Sequence, residues 1–90
     1  MESFSFKMSV ETDRATGKLL AAYFKVRNGR VAKTVEYADG SAFADYGEDG
    51  KLLGIELLGP CEITVLDRIA RKQPKVKEFL RRHIPRQLVA

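Results

Sequence analysis

Apolar and polar residues alternate strictly from Phe4 onward. Phe4, Phe6, Met8 and Val10 fall on one side, and Ser5, Lys7, Ser9 and Glu11 on the other. A period of two marks a half-buried strand, because successive side chains leave opposite faces of the pleat. Residues 13–18, with Gly17, read as a turn. Leu19 to Arg27 predicts a second strand, with Leu20, Ala22, Phe24 and Val26 on one face. Its other face carries Leu19, Ala21 and Tyr23, so both faces ask for cover. Asn28-Gly29 follows. Both residues tolerate positive φ, which predicts a two-residue hairpin turn. Val31 to Tyr37 predicts a third strand, Ala42 to Tyr46 a short fourth, and Leu52 to Leu58 a fifth with Leu53, Ile55 and Leu57 on one face. Asp39-Gly40 and Asp49-Gly50 separate them. The three turn dipeptides are spaced as successive hairpins are. Residues 1–58 are therefore expected to form an antiparallel β-meander of about five strands.

Beyond Gly59-Pro60 the period changes, and residues 63–84 read as helical. Thr64 is a candidate N-cap, with Asp67 as the distant half of a capping box. Val65, Leu66, Ile69 and Ala70 share one arc of a first short helix. Pro74 suits the first turn of a second. There Val76, Phe79, Leu80 and Ile84 form the apolar arc, with His83 within it, and Pro85 ends the helix. Two amphipathic helices must bury their stripes, and one face of the sheet is the available surface. The expected class is α+β, with residues 1–90 as a single domain and the two C-terminal helices packed on the sheet.

Composition excludes more than it names. Hydrophobic residues make up 44% and charged residues 31% of the 90, which is the balance of a folded globular chain. The longest apolar run, Leu19 to Phe24, is far short of the roughly 20 residues that a spanning helix needs. No secretory leader is visible, since Ser5 and Lys7 interrupt the N-terminal segment. The single cysteine, Cys61, excludes an internal disulfide framework and suits a reducing cytoplasm. One Cys and one His also argue against a metal site built on those ligands.

The net charge of +4 hides a strong asymmetry. Residues 36–67 carry eight acids against Lys51. Residues 68–86 carry eight bases (Arg68, Arg71, Lys72, Lys75, Lys77, Arg81, Arg82 and Arg86) against Glu78. Blocks of opposite sign attract each other, within one fold or between copies.

The stretches Val31 to Tyr37 (VAKTVEY) and Ala44 to Leu58 (ADYGEDGKLLGIELL) resemble the bacterial domain-of-unknown-function family 2283. Its members carry a similar VDYDEDGRLVGIEIL segment behind a hairpin. The likeness covers roughly residues 12–58 and is most specific from Asp45 to Glu56. It departs at the start, where Thr12-Asp13 stands in place of the family's Tyr-Asp. The resemblance implies the meander and a cytoplasmic bacterial protein, brings no catalytic residue, and hints at antitoxin-like pairing with a small protein.

Several patterns carry candidate chemistry. Asp45-x-Gly47-x-Asp49-Gly50-x5-Glu56 follows the spacing of an EF-hand calcium loop but lacks one ligand at Gly47, and its flanks read as strands. An Asp-Gly turn with solvating acids is the simpler reading. His83 could act as a base, and Cys61 as a nucleophile, only beside a partner that the neighbouring sequence does not supply. An enzyme would need a pocket gathering Tyr37, Tyr46, His83 and acids. Arg68, Arg71, Lys72, Lys75, Lys77, Arg81 and Arg82 are the candidate contact residues for nucleic acid or a partner, because phosphate binding needs clustered cations.

The expectation is a non-catalytic, self-associating protein-interaction module, a homodimer or higher, with no cofactor, no metal and no membrane. The alternative is nucleic-acid binding through residues 68–86.

Overall fold

The strands are β1 (Lys7–Thr12), β2 (Leu19–Lys25), β3 (Lys33–Tyr37), β4 (Ala42–Tyr46) and β5 (Leu52–Leu57), in a computed structural model that describes residues 3–89. Two helices follow, α1 (Ile63–Ile69) and α2 (Pro74–His83). All strand pairings are antiparallel, and the class is α+β as the pattern predicts.

The order across the sheet is β1-β2-β5-β4-β3, which departs from a simple meander at one place. β2 and β3 are not neighbours, so Asn28-Gly29 is not a hairpin turn. Gly29 does not take a positive φ; a Cβ there would lie 2.8 Å from a Leu53 methyl. The residues between β2 and β3 instead carry the chain across the sheet to its far edge. Burial explains the choice. β5 is buried at five of its six positions and therefore belongs in the middle of the sheet. β3 exposes Lys33, Thr34 and Glu36, the composition of an edge strand.

Registers place Ala22 opposite Leu57, Phe24 opposite Ile55, and Ala42 and Ala44 opposite the same two β5 residues. These side chains meet Leu66, Ile69 and Ala70 of the α1 region and Val76 and Leu80 of α2 in one core. A bulge between Asp45 and Tyr46 changes one assignment. Tyr46 faces Leu52, so Leu52 rather than Leu53 joins Ile55 and Leu57 in the core. Phe4 and Phe6 precede β1 and stack on each other with ring centroids 4.9 Å apart, and Phe6 stacks on Phe79 of α2 at 4.6 Å. Phe24 meets Phe79 edge-on at 5.9 Å. The alternation of β1 does not translate into burial: all six of its residues are exposed, Met8 and Val10 included.

Pro74 opens α2 as expected. Thr64 does not cap α1. The N-cap is Glu62, without a side-chain cap bond, and the Thr64 hydroxyl, inside the helix, lies 3.3 Å from the Glu62 carboxylate. After Ile84 returns to extended geometry, a short 3-10 turn, Arg86–Leu88, drops Leu88 into the core. Val89 then forms a parallel bridge with Cys61. Helical periodicity stops at Pro85 and gives no sign of this return.

The β3–β4 turn lies where Asp39-Gly40 predicts it, but positive φ begins one residue earlier, at Ala38 (53°), Asp39 (52°) and Gly40 (88°). A left-handed residue with a Cβ costs about 1–2 kcal/mol. Glycine removes that cost and returns about 0.5–1 kcal/mol of it as backbone entropy. Ala38→Gly is therefore expected to stabilise the fold by about 0.5 kcal/mol, read as a higher urea midpoint with an unchanged slope.

Candidate functional site

Two surfaces stand apart from the core: the outer side of the helices and the sheet face opposite them. On the open face, the register lines up Gly54 of β5, Asp45 of β4 and Thr34 of β3, while Tyr23 of β2, opposite Glu56, reaches that row diagonally. Tyr23 lies over Gly54 and donates its hydroxyl hydrogen to Asp45 Oδ2 at 3.1 Å. Thr34 Oγ1 donates to the other oxygen, Oδ1, at 2.7 Å. The Asp45 carboxylate on β4 thus ties one side chain of β2 to one of β3 across the open face. Gly54 makes the crossing possible, because a Cβ at that position would stand 2.0 Å from the Tyr23 hydroxyl oxygen. Burial, and then the Asp45 hydrogen bond, push the Tyr23 phenol up to about 12.

The EF-hand-like spacing falls on two paired strands, Asp45 on β4 and Glu56 on β5, the latter opposite Phe43. Asp45 sits opposite Gly54 in an antiparallel pair, and its carboxylate is taken by two hydroxyls. Asp49 Oδ1 accepts the Lys51 backbone N–H at 3.0 Å within the turn, where Gly50 takes φ 81°. The segment is a β-hairpin, and no cluster of three His, Cys, Asp or Glu among the described residues could hold a metal ion.

Tyr37, Tyr46 and His83 do not converge. The two phenols, on β3 and β4, share a hydrogen bond of 3.2 Å and pack on the core. Burial and that bond raise Tyr46 to about 12. His83 ends α2 on the opposite flank of the molecule, exposed, with its ring 5.1 Å from that of Phe79. Cys61 is buried beside Leu88, and burial pushes its thiol up, away from thiolate.

The predicted basic residues are brought to the outer side of the helices but divided there. Arg71, Lys77, Arg81 and Arg82 border one shallow groove of about 490 Å³ with Pro74 and Glu78. Lys75 and Arg82 border a second, of about 610 Å³, whose floor includes Phe6, Met8 and Phe79 and which opens along β1. Arg68 and Lys72 are exposed. The charges are partly spent. Arg81 reaches Asp67 through Nε (3.3 Å) and Nη2 (2.7 Å), which raises the guanidinium and holds the carboxyl below its usual range. Arg82 pairs with Glu78 one turn back at 3.1 Å. Asp67 thus serves as the anchor for Arg81 rather than as part of a cap.

One polar residue has no signature in the sequence. Arg27 is buried, donates to the Leu52 carbonyl at 2.6 Å and to Gln73 Oε1 at 3.1 Å, and lies 5.0 Å from the Phe4 ring centroid. It joins the end of β2 to β5, to the α1–α2 link and to the segment before β1.

No helix among the described residues is long and apolar enough to cross a membrane. No family model matches the chain, and neither a curated protein nor a solved structure shows significant similarity to it.

The Tyr23–Gly54 crossing gives a double-mutant test. Gly54→Ala is expected to destabilise by about 2 kcal/mol, because Tyr23 must leave its hydrogen bond and its packing. Combined with Tyr23→Ala, the same change should cost far less than the sum of the single variants. The phenols set an alkaline limit as well. A group whose folded value lies above the unfolded 10.0 supports the fold fully below that pH and loses its contribution as pH rises toward about 12. Stability should fall between pH 10 and 12, and Tyr23→Phe should flatten the fall.

Proposed function

We propose that the protein is a non-catalytic interaction module that self-associates. The observation carrying this reading is β1, an edge strand exposed along its whole length. It presents Met8 (41% exposed) and Val10 (49%) on the side of the sheet that elsewhere forms the core. Apolar side chains at an unpaired edge are a liability for a lone monomer and a natural surface for association. Leu20 and Leu58, also exposed, add apolar area near the β2–β5 pair. The engagement of Tyr23, Asp45 and Thr34 with one another supports a scaffold rather than a reaction centre. The likeness of residues 12–58 to family 2283 supports a cytoplasmic bacterial setting and a second, small protein as a further partner, as in an antitoxin-like pair. Light scattering at micromolar concentration is expected to give at least twice the chain mass of 10.1 kDa, and a monomer mass would overturn the reading.

The groove bordered by Arg71, Lys77, Arg81 and Arg82 favours one alternative, nucleic-acid binding by the helices. Phosphate contacts give a binding constant that falls steeply with salt. If that reading holds, Arg71→Glu with Lys77→Glu should abolish binding to a duplex at moderate salt and leave the melting temperature nearly unchanged. If the module reading holds, wild-type protein should show no salt-dependent binding at all.

A further inference from the structure

We infer that two copies of the protein join edge to edge through β1, antiparallel and centred on Ser9, so that the two sheets run on as one. The inference rests on the self-association reading and names its surface and its register.

The main chain supplies the first argument. Val26 N–H donates to the Leu53 carbonyl at 2.8 Å, which sets the direction of the backbone groups along β2. Antiparallel alternation then turns the groups of Phe24 and Ala22 toward β5, and those of Lys25, Tyr23 and Ala21 toward β1. Their register partners Lys7, Ser9 and Glu11 spend their N–H and C=O groups on β2. The groups of Met8 and Val10 point out of the free edge. A second strand can bond there without disturbing the first pairing.

The side chains supply the second. An antiparallel copy centred on Ser9 sets Lys7 opposite the partner's Glu11, and Met8 opposite the partner's Val10. The twofold axis repeats both matches. Opposite charges meet on the open face, and the two exposed apolar residues meet on the helix face. The partner's Val10 also arrives beside Met8, at the mouth of the groove between β1 and α2 that Phe6, Phe79 and His83 help to line. Thus α2, which lines that groove with Phe6, Lys7 and Met8 of its own copy, comes next to the Val10 of the other.

The second free edge lacks this complementarity. Centred on Val35, β3 would set Lys33 against Tyr37 and Thr34 against Glu36, with no opposite charges facing. β1 is also free of proline, a residue that commonly blocks edge pairing.

The test is a charge exchange read by sedimentation or light scattering, with circular dichroism as the folding control. Lys7→Glu and Glu11→Lys should each weaken dimerisation about tenfold, since like charges then face each other at two symmetric places. The double variant should restore it. The two residues are four apart on one extended strand, so the rescue cannot arise within one chain. Val10→Pro removes only an outward N–H and should yield a folded monomer of 10.1 kDa. Ser9→Cys should form an intermolecular disulfide in air, because non-hydrogen-bonded antiparallel partners lie about 4.5 Å apart at Cα, within disulfide reach. Lys7→Cys and Glu11→Cys should not. A dimer indifferent to both charge variants, with no Ser9→Cys crosslink, would overturn the β1 register and leave self-association standing. A wild-type monomer would overturn both.

Discussion

The last strand of the chain is the middle strand of the sheet, and the rest of the structure depends on that placement. β5 bonds to β2 on one side and β4 on the other, and its Ile55 and Leu57 face Phe24 and Ala22 as well as Ala42 and Ala44. Without it, the β1–β2 and β3–β4 pairs share no strand contact. Two-stranded ribbons are at best marginal in water, so each half needs β5 to become part of a stable sheet. The helices depend on it in turn, because Leu66, Ile69, Val76 and Leu80 pack on a face that exists only when all the strands are aligned.

The two sides of the sheet are held by different physics. The helix side is apolar and buried, with an aromatic row from Phe4 through Phe6 and Phe79 to Phe24. The open side is polar and is ordered by hydrogen bonds to Asp45. Arg27 works at one end of the sheet, where burying a guanidinium is tolerable because carbonyl, amide and ring partners surround it. The basic outer face of the helices adds little to stability, since exposed pairs such as Arg82–Glu78 are worth about 0–1 kcal/mol. Arg81 and Arg82 are held there by Asp67 and Glu78, while Arg68, Arg71 and Lys72 stand exposed.

Element positions and class were legible because each rests on local chemistry. Alternation marked the strands, Pro74 and Pro85 bracketed α2, and Asp39-Gly40 and Asp49-Gly50 marked the two real hairpins of the second half. Strand order was not legible, because Asn28-Gly29 has the local chemistry of a hairpin and the decision lay with the burial of β5, a long-range property. Leu52 and Leu53 exchanged roles through a one-residue bulge that alternation cannot reveal. The cationic cluster was visible as a count, but its division between two grooves and the claim of Asp67 on Arg81 depend on how α1 meets α2. Arg27 and the Tyr23–Asp45–Thr34 row gave no sequence signal, since each joins residues far apart in the chain.

The crossing of Tyr23 over Gly54 constrains how this sequence can drift. The two positions are 31 residues apart, yet neither is free to change independently of the other. A side chain at 54 is tolerable only after the ring at 23 has been lost, and losing that ring first uncovers a bare strip of the central strand and strands the Asp45 carboxylate with one hydroxyl fewer. Every route between the present pair and a conventional one therefore passes through a weaker intermediate, and the order of the two steps decides which defect that intermediate bears.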